Sequence, residues 1–126
     1  MLLVFIGAGI GGVLRFIFAS LVYTYTGRSF PYGTLVINLT GSFLMGFLYV
    51  VITQHFEDFV PELTALLLVG LLGGYTTFSS FSIETFRLFE DGKILYAILN
   101  VICSTTFGIL FAYFGIILGK KYFTIF

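Results

Sequence analysis

The sequence is poor in charged residues. Only 10% of its 126 residues are Asp, Glu, Lys or Arg, whereas 59% are hydrophobic, and an average soluble domain has about 25% charged residues. Six basic and six acidic residues cancel, so the chain lacks the positive patch that nucleic-acid phosphates require. The composition excludes an ordinary soluble fold and argues against nucleic-acid binding.

Tryptophan is absent, and the chain has only one cysteine and two prolines. The single Cys103 cannot form an intrachain disulfide, and its apolar surroundings favour a small buried thiol. The sequence also lacks a nucleophile–base pair, a metal-ligand cluster or a cofactor motif. We therefore expect a protein that is not an enzyme.

Four apolar segments are present, over residues 2–25, 32–53, 63–89 and 94–118. Each is long enough to cross a bilayer, which takes about 20 residues. No run alternates apolar and polar residues with period two, which disfavours a β-barrel. We expect one all-α membrane domain over residues 1–126, with four transmembrane helices per subunit.

Basic residues give the chain little preference for one orientation. With four crossings, the side that holds both ends carries Lys120 and Lys121, and the opposite side carries Arg28, Arg87 and Lys93. An excess of Lys and Arg in short loops fixes the orientation of a membrane protein. Near-parity therefore predicts that copies insert in both directions.

Glycines are frequent, and four of them have the spacing of helix-packing positions. Gly7 and Gly11 in the first segment, and Gly115 and Gly119 in the last, follow the small-xxx-small pattern that lets membrane helices approach closely. Residues 7–12 also match the G-x-G-x-x-G dinucleotide pattern, but only six residues precede them and no acidic residue follows at the required distance. We therefore interpret these glycines as packing positions.

Polar residues form two stripes at successive i, i+4 positions. They are Thr34, Asn38 and Ser42 in the second segment, and Tyr96, Asn100 and Ser104 in the fourth. In hydrocarbon such groups need partners in another helix or in a water-filled cavity. Hydrogen bonding between helices explains Thr34 and Ser42 equally well, but the Asn38 amide offers two uncharged donors that suit a small anion.

The third segment should not be a continuous helix. Gly73 and Gly74 are followed by four hydroxyl residues, which weakens the helix near the middle of the membrane. These residues are Thr76, Thr77, Ser79 and Ser80. A break there exposes carbonyls and amides that transporters use for cations and anions respectively. If the second half begins near Phe78, then Phe78 and Phe81 share a face, and their partly positive ring edges suit an anion path.

Arg15 and Glu84 are the ionisable residues inside the segments, so each is a functional hypothesis. Glu84 lies close enough to a segment end for structural capping. A proton-coupled pump needs an embedded carboxylate or a His relay, but segments one, two and four have none, and His55 lies in a loop.

Three motifs together resemble the Fluc (CrcB) family of small fluoride channels. They are Gly-x-Gly-Gly-x-x-Arg at residues 9–15, Gly-Thr-Leu-x-x-Asn-x-x-Gly-Ser at residues 33–42, and Gly-Gly-x-Thr-Thr-Phe-Ser-x-Phe at residues 73–81. The resemblance spans nearly the whole chain and implies a broken third helix and an antiparallel, dual-topology homodimer with two fluoride pores in the cell inner (plasma) membrane. It also implies a central structural sodium ion bound by main-chain carbonyls, here those of Gly73 and Thr76.

The resemblance also implies roles for individual side chains. Asn38 would be the pore amide and Arg15 would lie at the vestibule, while other residues would line the fluoride path: Phe78 and Phe81 as pore phenylalanines, Thr77, Ser79 and Ser80 as hydroxyls, and Tyr96, Asn100 and Ser104 as a polar track. Two positions depart from the family pattern. Ser80 replaces a more usual Thr and keeps its hydroxyl, whereas Asn100 replaces a more typical Ser and is bulkier.

The residues themselves predict a narrow, passive path for a small anion, with uncharged walls. The resemblance implies that this anion is fluoride and that the channel exports it from the cytoplasm. One four-helix subunit is too small to enclose such a path, so dimerisation is also expected on physical grounds. The main alternative is a small dual-topology proton-coupled antiporter, which needs an embedded acid in its first helix where this chain has Arg15. A second alternative is a non-transporting membrane assembly protein whose polar stripes are interface contacts.

Overall fold

The computed structural model describes residues 1–124, which form helices joined by short loops. The helices are α1 (Leu2–Thr26), α2 (Tyr32–His55), α3 (Val60–Leu63), a π-helix (Thr64–Leu72), α4 (Gly73–Tyr75), α5 (Phe78–Glu90) and α6 (Ile94–Thr124). Within these residues there is no β-strand. Four helical stretches are long and apolar enough to cross a membrane: Leu2–Thr26, Tyr32–His55, Glu57–Glu90 and Ile94–Tyr122. The predicted all-α membrane fold with four spans is confirmed.

The third span consists of two halves. The first half, residues 60–75, comprises α3, the π-helix and α4, and the second half is α5. The π-helix was not predicted, because its sequence is a uniform apolar run that carries no signal for a widened helical turn. π-Helical turns are rare and occur mostly at functional sites. This one leads directly into the break.

Helix α1 packs closely on the first half of the third span. A Cβ atom added at Gly7 would collide with the Leu66 carbonyl, and one at Gly11 would collide with the Leu71 carbonyl. Only glycine allows the two backbones to approach this closely. The packing role predicted for Gly7 and Gly11 is therefore confirmed.

Helix α2 makes its most extensive contact with α6. A Cβ atom at Gly115 would collide with the Phe43 carbonyl, and one at Gly119 would lie 3.0 Å from Val50 Cβ. The second predicted glycine pair therefore also packs closely on a neighbouring helix. These two close helix pairs hold the break between them.

The described part of the molecule has a small interior and an apolar exterior. Its buried hydrophobic cluster comprises Ile52, Leu68 and Leu72, and even Cys103, predicted to be buried, is partly exposed. Large apolar side chains point outward, and Phe5 and Phe78 are 78% and 79% exposed. Such a surface suits lipid or a second protein chain rather than water.

Candidate ion pathway

The third span is interrupted at two consecutive threonines. The Thr76 amide still bonds the Leu72 carbonyl at 2.9 Å, but Thr76 then turns to an extended conformation with ψ 158°. Thr77 is extended as well, with φ −149° and ψ 110°, and α5 begins at Phe78. The predicted interruption is confirmed, although Gly73 remains helical and the chain leaves the helix three residues later.

Asn38 on α2 holds the interrupted backbone. Its Nδ2 donates to the Thr77 carbonyl at 3.0 Å, and its Oδ1 accepts from the Thr77 amide at 2.8 Å. The side-chain amide thus pairs with both main-chain polar groups of one residue, as a residue of an antiparallel strand would. Both N–H groups of Asn38 Nδ2 were predicted to suit an anion, whereas one of the two bonds the backbone and one is left.

Thr77 caps the N-terminus of α5. Its Oγ1 accepts from the Ser80 amide at 3.1 Å and donates to Ser80 Oγ at 3.0 Å, while Ser79 Oγ lies 3.3 Å away. Side-chain capping satisfies an amide that the helix itself cannot. The positive end of the α5 dipole consequently lies at the break.

The break opens on a cleft of about 350 Å³ between α2, α5 and α6. The cleft collects five of the residues predicted to line the path, namely Asn38, Thr77, Phe78, Phe81 and Ser104. The Phe78 and Phe81 ring centroids lie 5.5 Å apart with an interplanar angle of 43°. Ser42, from the stripe on α2, also lines the cleft. Its walls therefore combine apolar side chains, the two phenylalanines among them, with uncharged polar groups.

The predicted track on α6 divides into two parts. Asn100 is 1% exposed, and its Nδ2 donates to Thr85 Oγ1 at 2.8 Å while its Oδ1 accepts from Ser104 Oγ at 3.4 Å. Tyr96 lies apart, against the Phe30 ring at 5.9 Å in an edge-to-face arrangement. Asn100 therefore joins α6 to α5 and reaches the cleft through Ser104, and Tyr96 is outside this network.

Arg15 lines a second cavity of about 290 Å³ on another side of the break, together with Ser80 and Thr77. Its Nη1 donates to the Thr76 carbonyl at 3.4 Å. That carbonyl is one of the last in the first half of the third span, where a cation complements the helix dipole. Arg15 thus stabilises the carbonyl end of the break from within the membrane.

Glu84 faces this second cavity and does not cap a helix end, which was one of the two roles that its position in the sequence allowed. Its Oε1 accepts from Thr34 Oγ1 at 2.9 Å and from Tyr23 OH at 3.4 Å. Its Oε2 is buried without a hydrogen-bond partner among the residues that the structure describes. The carboxylate points into the bundle because hydroxyls on α1 and α2 hold it there.

The carbonyl groups of Gly73 and Thr76 lie at the end of the first half. In a continuous helix the Thr77 amide would bond the Gly73 carbonyl, but this amide bonds Asn38 instead. Gly73 is exposed, and only the Leu68 carbonyl oxygen, at 3.8 Å, lies within 4 Å of where its Cβ would be. Uncharged oxygen donors of this kind suit a hard cation such as sodium, so the two residues fit the predicted site.

Comparison with known proteins identifies the family. A model of the CrcB-like proteins, described as camphor resistance (CrcB), matches residues 2–116. This chain belongs to the CrcB family. It is 47% identical to the fluoride-specific ion channel FluC of Coxiella burnetii over 121 residues, which cover 96% of this chain and 98% of that protein. It is 46% identical to the FluC protein of Magnetococcus marinus over 116 residues, which cover 91% of this chain and 93% of that protein.

The CrcB match covers every residue of the three motifs. Two further residues of the site in this CrcB protein were not predicted from the sequence. Thr85 joins the track through Asn100, and Tyr23 joins Glu84 to α1. The sequence does contain a signal for Thr85, because this residue lies one helical turn after Phe81. In the structure its hydroxyl donates to the Phe81 carbonyl at 2.7 Å. Tyr23 had none, because its position near a segment end is equally typical of a residue at the membrane surface.

Proposed function

We propose that this protein is a fluoride-selective ion channel of the cell inner membrane. It lets fluoride leave the cytoplasm passively, down its electrochemical gradient. The observation that carries the proposal is the similarity to fluoride-specific ion channels, which reaches 47% identity over 98% of a relative's length. The four apolar spans and the break agree with a membrane channel.

Fluoride must exchange its hydration shell for donors that bind it weakly enough to let it leave. The cleft offers the remaining Asn38 N–H, the hydroxyls of Ser42 and Ser104, and the ring edges of Phe78 and Phe81. None of these groups carries a full charge, so none holds the anion as a Lys or Arg would. The positive end of α5 adds a fixed attraction at the break.

A single subunit leaves this cleft open on one side, since Phe78 is 79% exposed. A second copy in the antiparallel orientation would close it and would create two equivalent paths related by a two-fold axis. The balanced numbers of basic residues at the two ends of the subunit support insertion in both directions. We therefore propose an antiparallel homodimer with two pores.

A structural sodium ion at the centre of this dimer would be held by the Gly73 and Thr76 carbonyls. When bound, the ion supplies positive charge at the carbonyl end of the first half of the third span. Asn38 keeps the Gly73 carbonyl available, because it binds the amide that would otherwise occupy that oxygen. The Thr76 carbonyl also accepts from Arg15 Nη1, so it would bind the ion through its second lone pair.

Fluoride efflux from proteoliposomes, followed with a fluoride electrode, tests the proposal. We expect fluoride efflux at least about tenfold faster than chloride efflux, since a path without full charges discriminates by hydration and size. Phe81→Ile should lower fluoride flux, whereas Phe5→Ile, the same change on an exposed face of α1, should not. Equal chloride flux, or unchanged flux in Phe81→Ile, would contradict the proposal. A strict requirement for a pH gradient would favour the antiporter, and absence of flux would favour the assembly protein.

A further inference from the structure

We infer that Arg28, Arg87 and Lys93, here called the basic mouth, form a site that concentrates small anions at one end of the pathway. The inference rests on the proposed fluoride channel and adds an entrance to it. The three side chains line one cleft of about 240 Å³. This cleft lies where α1 passes to α2 and α5 passes to α6.

The basic mouth is assembled from three separate parts of the chain. Arg28 lies in the loop before α2, Arg87 in the last turn of α5, and Lys93 in the loop before α6. These are three of the six Lys and Arg residues in the whole sequence. Folding therefore brings half of the chain's cationic side chains to a single cleft.

The cations of the basic mouth make no close ion pair. Within the described residues, none of the three lies within 4.0 Å of a carboxylate oxygen, although Arg87 and Arg28 are near enough to attract the Glu84 carboxylate. The Arg28 guanidinium lies 5.0 Å from the centre of the Tyr23 ring, a contact that orients a cation without neutralising it. Unpaired cations around a concave site raise the local concentration of anions.

The cleft of the basic mouth adjoins the cavities at the break. Tyr23, Arg28 and Glu84 line both this cleft and the 290 Å³ cavity. Thr77 in turn lines both that cavity and the 350 Å³ cleft with the two phenylalanines. An anion held at the basic mouth thus lies beside a series of cavities that leads to the break.

Two carboxylates, Asp91 and Glu84, also line the cleft of the basic mouth. The three cations outnumber them, and the Glu84 Oε1 already accepts hydrogen bonds from Thr34 and Tyr23. Both carboxylates therefore oppose the attraction of anions, and Asp91 is the one that can be neutralised without removing the hydrogen bonds from Thr34 and Tyr23. Neutralising a cation and neutralising Asp91 should therefore change fluoride efflux in opposite directions.

The test is fluoride efflux at low and high ionic strength, from vesicles of phosphatidylcholine only. Arg87→Gln and Lys93→Gln should each lower efflux about two- to threefold at about 10 mM salt, where the Debye length is about 30 Å. Asp91→Asn should raise efflux by a similar factor. All variants should approach the parent near 1 M salt, where screening acts within about 3 Å. The added salt is N-methylglucamine gluconate, so that sodium stays constant.

Lys121→Gln is the matched control, because it removes one cation from the exposed end of α6, away from the cleft. The loop itself is held by main-chain bonds, such as that from the Lys93 amide to the Leu88 carbonyl at 2.8 Å. The variants should therefore fold, which elution as a single species in detergent verifies.

Absence of flux in the parent would contradict the proposed channel and not the basic mouth alone. A conducting parent whose variants differ from it by the same factor at both ionic strengths would overturn the inference. So would an effect that appears only after an anionic phospholipid is added to the vesicles, because the cleft would then bind a lipid headgroup.

Discussion

The break in the third span depends on one side chain more than on any other. Asn38 satisfies both the amide and the carbonyl of Thr77, which no other described side chain does. A buried peptide unit without hydrogen bonds costs about 1–3 kcal/mol for each polar group. Asn38 is therefore a structural residue as well as a donor that faces the cleft.

Asn38→Ala should lower the free energy of unfolding by about 2–4 kcal/mol, because it leaves two polar groups of Thr77 unpaired. Asn38→Asp should lower the free energy of unfolding less than Asn38→Ala does, since it keeps the acceptor for the Thr77 amide. It should nevertheless abolish fluoride flux, because it places a negative charge in the cleft. Denaturant unfolding in detergent and proteoliposome efflux measure the two effects.

Ser42→Ala is the control for Asn38, because Ser42 lines the same cleft one helical turn further along. The Ser42 hydroxyl makes no hydrogen bond within the described part of the chain. The free energy of unfolding of Ser42→Ala should therefore stay close to that of the parent. A drop in Asn38→Ala no larger than that in Ser42→Ala would show that Asn38 does not hold the break.

The predictability of the site varied from residue to residue. Phe78, Phe81 and Ser104 meet at the cleft as the helical spacing predicted. Asn38 was predicted to face an anion, but a sequence cannot show which backbone group a side-chain amide meets across 39 residues. Tyr96 shares the spacing of Asn100 but packs on Phe30, because helical spacing defines a face and not its partner.

Between elements, glycine positions determine how closely the helices pack. Helix α1 has two kinds of glycine within one turn of each other. A Cβ atom would collide with another backbone at one kind and would meet open space at the other. A Cβ atom at Gly11 would meet backbone atoms of Leu71 and Tyr75, whereas none lies within 4 Å of a Cβ at Gly9. Substitution at Gly11 therefore tests helix packing, whereas substitution at Gly9 tests only the helix propensity of the residue.

Gly11→Ala should lower the free energy of unfolding by about 1–3 kcal/mol, since the backbone of the first half would have to move away. Gly9→Ala should leave it unchanged or raise it by up to about 1 kcal/mol, because alanine favours the helix. Thermal unfolding in detergent, followed by circular dichroism, compares the two. Equal destabilisation by both variants would contradict close packing of α1 on the third span.

The elements themselves were more predictable than their internal geometry. Hydropathy and length indicated all four spans, because a membrane imposes both. The sequence also indicated the break, because paired glycines and hydroxyls rarely occur together in a stable membrane helix. The π-helix over Thr64–Leu72 could not be predicted, because a widened turn leaves no periodic signal in an apolar run.

For the whole molecule, charge and surface both support the proposed antiparallel dimer. The exposed apolar side chains suit lipid or another subunit, and a second copy would close the open cleft. Two cations, Lys120 and Lys121, oppose the three of the basic mouth across the membrane. In the proposed dimer this small difference would permit both orientations, so changing it should change the assembly.

Lys120→Gln combined with Lys121→Gln should abolish dual insertion. All basic residues outside the membrane would then lie on the side of the basic mouth, which the positive-inside rule places in the cytoplasm. Reporter fusions to the C-terminus should report both sides for the parent and mostly the external side for the double variant. Fluoride flux in cells should fall with the number of antiparallel pairs, and co-expression of the parent should restore it. Parent fusions that all report one side would contradict antiparallel assembly, because the pair could not form.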